Sequence, residues 1–160
     1  MKNISPKKNL DRVGGDWTIA EISINYKPII TNQPRITSIA ETPTLIRKLW
    51  DNNSINLQEQ FVAYFFNTDS RMIGYRLIST GTMNLCIVDI KLLCSLALHS
   101  LCSYVVIAHN HPSGSISPSA YDNSITLQVR EALKLIDVKL LDHFIIVENG
   151  YLSFSDSGWL

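Results

Sequence analysis

The sequence predicts an α/β domain in which helices cover a central β-sheet. Short apolar runs rich in β-branched and aromatic residues, FVAYFF and YVVIA among them, have the length of buried strands. Between such runs lie segments whose apolar residues recur at helical spacing, as Ile125, Val129 and Leu133 do. Strands that alternate with helices along a chain form a layered domain with helices packed on the sheet.

Length and composition are those of one globular domain. The chain has 160 residues, of which 46% are apolar and 18% charged, so we expect a folded core and little room for a second module. Lysine and arginine together number 14, and so do aspartate and glutamate. This balance lacks the basic surplus of a dedicated nucleic-acid binder and leaves room only for local basic patches.

The sequence carries no sign of export or of a membrane span. The chain begins without the apolar core of a signal peptide, and it holds no run of about 18 apolar residues. We therefore expect a soluble, cytoplasmic protein. Cys86, Cys94 and Cys102 form no CxxC pair, which favours packing roles over a disulfide framework or a thiolate metal site.

The first half of the chain predicts a tail, three strands and a helix. We expect residues 1–16 to form a flexible tail, followed by a strand in WTIAEISINYK. A helix opens at TPTLIRKLW, with Thr42 as its N-cap and Pro43 in its first turn. The strands EQFVAYFFN and RMIGYRLIST follow, joined by a turn at TDS, and the first of them is apolar on both faces, as an interior strand is.

The second half predicts two helices and three strands. In VDIKLLCSLALHSLC one helical stripe contains Leu93, Leu96, Ala97 and Leu101. The buried strand YVVIA leads to a second helix, which we expect Ser117 to cap and Pro118 to begin. The buried face of that helix is predicted to consist of Ile125, Val129, Ala132, Leu133 and Ile136. The segments VKLLDHFIIVENG and YLSFS close the chain as strands.

The polar residues after YVVIA have the spacing of a metal site. His109 and His111 are two residues apart, and alternate residues of a strand point the same way, so we expect both imidazoles on one side. Ser119 and Asp122 are three apart and share a face of the following helix. If that helix begins beside the strand end, Asp122 supplies a third ligand. Two imidazoles and one carboxylate, at about 2.0–2.2 Å from the ion, suit Zn²⁺ and leave a fourth position open to water.

Each of these residues also has an ordinary structural interpretation. A histidine at a strand end usually packs or forms a hydrogen bond, and an aspartate on a helix is usually solvated. The combination favours a metal, because the spacing H-x-H-x(7)-S-x-x-D comes with a predicted strand before it and a predicted helix start within it.

This spacing resembles the signature of the JAB/MPN (JAMM) metalloproteases. HNHPSG followed by PSAYD is similar to the RadC branch, and EQFVAYFFN, STGTMN, VDIKLL, LLDHFIIV and YLSFSDSG resemble further RadC segments in the same order. The resemblance covers about residues 20–160. It implies a three-layer JAB/MPN fold, similar to the cytidine-deaminase-like architecture, with a mixed β-sheet flanked by helices. The domain is expected over residues 17–160, without the helix-hairpin-helix region of longer members.

The resemblance also implies roles at the site. Glu59 matches the glutamate that takes a proton from the zinc-bound water and returns it to the leaving amine; taken alone, it reads as an exposed charge at a strand end. Ser119 matches the hydroxyl that stabilises the oxyanion together with the zinc. Zn²⁺ is the implied cofactor, held by His109, His111 and Asp122, and a peptide or protein is the implied substrate.

Other polar residues near the motif receive structural interpretations. His143 matches the family pattern and is expected behind the ligands or in the core. The same two interpretations apply to Asp142 beside it. His99 is expected at the surface or the boundary of its helix. Ile90 and Lys91 replace the proline and arginine common in the family, which bears on helix packing and not on the ligands.

Three functions compete on this sequence. The first is a zinc-dependent metallohydrolase of the peptidase or isopeptidase type, in a family that carries a DNA-repair label. The second is a non-catalytic or DNA-associated binding module, against which the complete set of Glu59 and the ligand residues argues. The third is a nuclease or a deaminase, but a deaminase needs H-x-E and P-C-x-x-C elements that the sequence does not contain. The sequence predicts no particular oligomeric state.

Overall fold

The computed structural model describes residues 32–83 and 86–160. The predicted tail, residues 1–16, and the predicted strand at residues 17–27 lie outside these ranges. The described elements are a 3₁₀-helix at Ile39–Glu41, the helices α1 (Thr42–Leu49), α2 (Ile90–Ser100) and α3 (Ala120–Lys134), and the strands β1 (Gln60–Phe66), β2 (Met72–Thr80), β3 (Tyr104–Asn110), β4 (Lys139–Val147) and β5 (Gly150–Ser153). They follow the order predicted from the sequence for this part of the chain.

The five described strands form one mixed sheet in the order β2-β1-β3-β4-β5. β3 and β4 are parallel, and every other neighbouring pair is antiparallel. The parallel pair is joined through α3, because parallel strands need a long crossover connection. β1 lies between β2 and β3, and all its residues from Phe61 to Phe66 are buried, so the predicted interior strand is confirmed.

Helices cover both faces of the sheet, which makes three layers. Alternate residues of β1 and β3 divide between two cores, as the two-residue period of a strand requires. Phe65 and Val105 pack with α2 and α3 in one core. Tyr64 and Val106 pack with Ile46 of α1 in the other. The expected α/β fold with a mixed sheet is therefore confirmed. Within the described ranges no helix is both long enough and apolar enough to pass through a membrane.

The pairing of β3 with β4 contains a register shift of one residue. After Val105 has paired with Leu140, the next residue of β3 pairs with Asp142, so Leu141 has no partner in β3. Paired residues of neighbouring strands share a face of the sheet. The shift therefore places His143 on the face that α3 covers, behind the end of β3.

The start of α1 differs from the prediction by one residue. Thr42 is the first residue of the helix and not its N-cap, because the 3₁₀-helix runs directly into α1 and Glu41 occupies the cap position. Pro43 lies in the first turn, as predicted.

The start of α3 lies two residues later than predicted. Ser119 is the N-cap, because its hydroxyl oxygen accepts a hydrogen bond from the backbone N–H of Asp122. The predicted cap, Ser117, and the predicted first-turn residue, Pro118, lie in the preceding loop. Ser119 therefore precedes the helix that carries Asp122 instead of sharing its face.

Two residues predicted on buried helical faces lie beyond their helices. Leu101 is the C-cap of α2, where a left-handed backbone with φ of 52° turns the chain away, and it is 82% exposed. Ile136 follows the end of α3 but still packs partly buried against the core. The other predicted positions on the buried faces of α2 and α3 are buried or half-buried.

Candidate metal centre

The end of β3 carries two histidines. His109 lies in the middle of the sheet, between Phe61 of β1 and Ile145 of β4, and it is 3% exposed. His111 follows the strand, where its backbone N–H donates to the carbonyl oxygen of Ile146 over 3.1 Å. The His111 side chain is 11% exposed. The sheet thus holds one imidazole in its interior and presents the other at its margin.

The first turn of α3 fixes the carboxylate of Asp122. Asp122 Oδ2 accepts hydrogen bonds from the backbone N–H and from the hydroxyl of Ser119, both at 2.7 Å. In return, Ser119 Oγ accepts the backbone N–H of Asp122 at 3.1 Å. This reciprocal capping box satisfies two helix-end donors and leaves Asp122 Oδ1 directed at His109.

The three side chains converge on one point. His109 Nε2 lies 3.0 Å from His111 Nε2 and 3.1 Å from Asp122 Oδ1. His111 Nε2 lies 3.5 Å from Asp122 Oδ2. Ligands at about 2.0–2.1 Å from a tetrahedral Zn²⁺ are separated from each other by about 3.4 Å. The observed separations and the nitrogen and oxygen donors therefore fit a zinc ion, and the three residues predicted from the sequence are brought together.

Burial and mutual contact shift the ionisation of the three groups. Burial alone would raise the pKa of Asp122, but hydrogen bonds with His109, His111 and Ser119 outweigh it and hold that pKa well below its ordinary value. The hydrogen bond to Asp122 raises the pKa of His111, whereas burial lowers the pKa of His109. Asp122 is thus an anion beside two imidazoles, and a cation bound there would be balanced by its charge.

Glu59 lies beside this group without joining it. It precedes β1, and its backbone is fixed by hydrogen bonds of 2.8 Å to Thr82 and Gly81. Burial raises the pKa of the Glu59 carboxyl, the charge of Asp122 adds to the rise, and His111 opposes it. The ligand atoms that converge in the described ranges come from the two histidines and Asp122, and Glu59 is not among them. Its carboxyl is therefore a neighbour of the candidate metal centre.

Comparison with known proteins agrees with this architecture. Residues 36–159 match the family described as the RadC-like JAB domain. The chain belongs to that family. The resemblance stated from the sequence is therefore confirmed, and the mixed sheet with its three helices is the fold of a RadC-like JAB domain.

Curated relatives of this RadC-like JAB domain are named UPF0758 proteins. One, from Chromohalobacter salexigens, is 36% identical over 120 residues, which cover 74% of this chain and 54% of the relative. Another, from Halorhodospira halophila, is 37% identical over 127 residues, covering 79% and 55%. The chain thus spans about half the length of these relatives. Their names state no activity.

Within the RadC-like JAB domain, the structure adds two residues that the sequence did not indicate. Thr126 of α3 contacts His143, which in turn contacts His109. Asn110, between the two candidate histidine ligands, is completely buried and hydrogen-bonds backbone groups just before β1 and at the first residue of β1. Asn110 could have been singled out from the sequence, because an amide at the end of an apolar strand is unusual. Thr126 could not, because a threonine within an amphipathic helix has no distinctive pattern.

The remaining polar residues have structural surroundings. Asp142 is buried and accepts hydrogen bonds from the hydroxyl of Ser153 and from the backbone N–H groups of His143 and Ser155. It therefore ties β4 to the turn after β5. His99 is exposed, and its Nδ1 donates to the carbonyl oxygen of Ser95 within its own helix, as expected for a surface histidine.

Proposed function

We propose that this RadC-like JAB domain is a zinc-dependent hydrolase that cleaves an amide bond of a peptide or protein. The observation that carries the proposal is the convergence of His109, His111 and Asp122 within zinc-ligand distances, next to a carboxyl of raised pKa. A structural zinc site takes four protein ligands, whereas a hydrolytic one takes three. Three ligands beside a proton-accepting group therefore support hydrolysis.

The residues of the candidate site have separate proposed roles in zinc binding and in proton transfer. His109, His111 and Asp122 would hold Zn²⁺, which supplies Lewis-acid chemistry by acidifying a water and polarising a carbonyl group. Glu59 accepts the proton of the attacking water and delivers it to the leaving nitrogen. Its partial burial beside the candidate ligands suits that role, because a base must lie within reach of the proton that it takes.

Ser119 has two candidate roles. Its hydroxyl proton is bonded to Asp122 Oδ2, and its oxygen accepts the Asp122 backbone N–H, so it orients the third ligand. The proposed donation to an oxyanion requires the hydroxyl to turn away from Oδ2 when substrate binds. The two roles are separable, because only the second affects turnover without affecting zinc affinity.

The substrate class rests on the chemistry of the site. A zinc ion with a base is suited to a neutral amide, which needs carbonyl polarisation and a proton for the departing nitrogen. A formal net charge of zero provides no general attraction to nucleic acid, so a DNA substrate has no support beyond the family label.

Glu59→Gln tests the proposal directly. The variant should keep stoichiometric zinc by elemental analysis, while hydrolysis of peptides and isopeptides in a library screen falls by about 10²- to 10⁴-fold. His111→Ala is the matched variant, and it should lose the zinc itself. Zinc loss in Glu59→Gln would make Glu59 a ligand. Absence of cleavage by the wild type, with equal binding of a protein or DNA by both forms, would favour a binding module.

A further inference from the structure

A chain of hydrogen bonds runs behind His109, on the side away from the other two ligands. His109 Nδ1 lies 2.8 Å from His143 Nε2. His143 Nδ1 lies 2.6 Å from the hydroxyl oxygen of Thr126. That hydroxyl oxygen lies 2.5 Å from the backbone carbonyl oxygen of Asp122. The chain therefore begins at one metal ligand and ends at the backbone of another.

The carbonyl of Asp122 determines the direction of these bonds. A carbonyl oxygen has no proton, so the contact at 2.5 Å is a hydrogen bond only if the Thr126 hydroxyl donates to it. The hydroxyl has one proton, and its oxygen must then accept from His143. His143 Nδ1 is consequently the protonated nitrogen of that ring.

The same logic continues to the ligand. His143 is completely buried, and its two ring nitrogens contact His109 and the Thr126 hydroxyl and no carboxylate, so we take the ring as neutral with one proton. With Nδ1 protonated, His143 Nε2 is an acceptor, and His109 Nδ1 must donate to it. The remaining nitrogen, His109 Nε2, then presents a lone pair towards Asp122 and His111. A metal needs a lone pair at that atom.

Packing prevents the ring of His143 from adopting another orientation. The ring is completely buried, and it is stacked on Phe154 with a centroid distance of 4.6 Å. Phe61 lies on another side at 5.7 Å. A flipped ring would move both nitrogens away from their partners and leave them unpaired in an apolar core, which is costly.

We propose that Thr126 and His143 are positioning residues that set the tautomer of His109, so that its Nε2 lone pair is available to the metal before the metal arrives. This inference rests on the metal site of the proposed function, but not on hydrolysis. In the opposite arrangement the Thr126 hydroxyl donates to His143 Nδ1, and His143 Nε2 donates to His109 Nδ1. His109 then carries its proton on Nε2, which donates to Asp122 Oδ1. That tautomer cannot ligate zinc without first losing its proton.

Thr126 offers the sharper test, because valine has nearly its shape without the hydroxyl. In Thr126→Val the acceptor for His143 Nδ1 is lost, so the chain is free to adopt the opposite arrangement. We expect zinc affinity, measured by competition with a chromophoric chelator, to fall by about 10- to 100-fold. Thr126→Ser keeps the hydroxyl and should bind zinc within about twofold of the wild type.

Nitrogen NMR of the histidines in metal-free protein provides a readout that needs neither zinc nor a substrate. His109 should be protonated at Nδ1 in the wild type and in Thr126→Ser, and at Nε2 in Thr126→Val. A wild-type His109 protonated at Nε2, or a Thr126→Val variant with unchanged tautomer and unchanged zinc affinity, would overturn the inference. A wild type that binds no zinc would instead contradict the proposed function, while the NMR result still decides the tautomer.

A pair of variants at position 143 gives an independent check. The side-chain oxygen of glutamine reaches the place of His143 Nε2 and can accept from His109, whereas asparagine reaches only the place of Nδ1. His143→Gln should therefore retain more zinc affinity than His143→Asn, by about tenfold. Equal loss in two variants that both remain folded would mean that His143 only fills space.

Discussion

The carboxylate of Asp122 belongs both to the candidate metal centre and to the cap of α3. Its Oδ2 takes two hydrogen bonds from Ser119, and its Oδ1 meets His109. The convergence of His109, His111 and Asp122 was predictable from the sequence, because alternate strand residues point the same way and the helix that carries Asp122 begins beside the strand end. The second role of Asp122, in the capping box with Ser119, was not predictable. The predicted cap was Ser117, and the residue that caps a helix depends on the conformation of the preceding loop.

Ser119 and Ser117 provide a matched pair at the residue scale. Ser119→Ala should lower the free energy of unfolding of the metal-free protein by about 1 kcal/mol, because the Asp122 backbone N–H loses its acceptor. Ser117→Ala changes an exposed loop residue and should have no measurable effect. Urea denaturation of both variants checks this prediction. Equal losses of unfolding free energy in the two variants would contradict the assignment of Ser119 as the cap.

Asp142 gives a pH-dependent prediction. Burial raises the pKa of its carboxyl above the ordinary value of 3.8. The folded protein then retains a proton that the unfolded chain releases, so the stability from this group is lost as the pH rises through the folded-state pKa. Asp142→Asn cannot titrate. As the pH rises above about 4, the metal-free wild type should lose stability relative to that variant, as measured by urea denaturation; a constant difference contradicts the raised pKa.

At the scale of elements, the end of β3 carries the two histidines of the candidate metal centre and, between them, Asn110, which anchors a neighbouring segment. Asn110 Oδ1 accepts the backbone N–H of Gln60 at 2.7 Å. Asn110 Nδ2 donates to the carbonyl oxygens of Ile55 and Gln58 at 2.7 and 2.9 Å. Glu59 lies between two of these bonded residues. The end of β3 that carries the two candidate histidine ligands therefore also fixes the segment that carries the proposed base.

Asn110→Ala tests this anchor. It removes the partner of the Gln60 N–H and of the Ile55 and Gln58 carbonyl groups. Each of these groups that stays buried should lower the free energy of unfolding by about 1–3 kcal/mol. We expect a lower melting temperature and faster hydrogen exchange at the Gln60 amide, with zinc affinity largely kept. Asn53→Ala, in an exposed loop, is the control. Unchanged exchange at Gln60 would mean that the segment is held by other contacts.

The boundaries of elements were less predictable than their existence. The strands were evident because β1 and β3 are apolar on both faces, as strands inside a covered sheet are. The start of α1 moved because a 3₁₀-helix precedes it, and a short turn of that kind leaves no periodic signal. Leu101 does not lie on the buried face of α2, because it is the left-handed C-cap that ends the helix.

At the scale of the whole molecule, the candidate metal centre joins elements that are distant in the chain. His109 and His111 come from β3 and its end, and Asp122 comes from α3 after an intervening loop. The order of the strands could not be derived from periodicity, because alternation within a strand says nothing of which strand pairs with it. The resemblance to a family supplied the mixed sheet instead.

Zinc binding should therefore stabilise the entire fold. A ligand that binds only the folded state adds about 2.7 kcal/mol at a free concentration of 100 times its dissociation constant. We expect zinc to raise the melting temperature, a chelator to reverse the rise, and Mg²⁺, which prefers oxygen ligands, to have no effect. His111→Ala should not respond. An equal rise in that variant would place the bound zinc elsewhere.

The unpaired Leu141 in β4 determines which residue of β4 lies behind His109. If β4 paired with β3 without this shift, Leu141 would lie opposite Val106 and Asp142 would lie opposite Ile107, where His143 lies now. A carboxylate would then stand where the imidazole backs His109. Such a pairing would keep the full H-x-H-x(7)-S-x-x-D spelling and all three candidate ligands, and yet it would support His109 differently. The motif alone therefore does not specify the support behind His109, because that support also needs the one extra residue in β4.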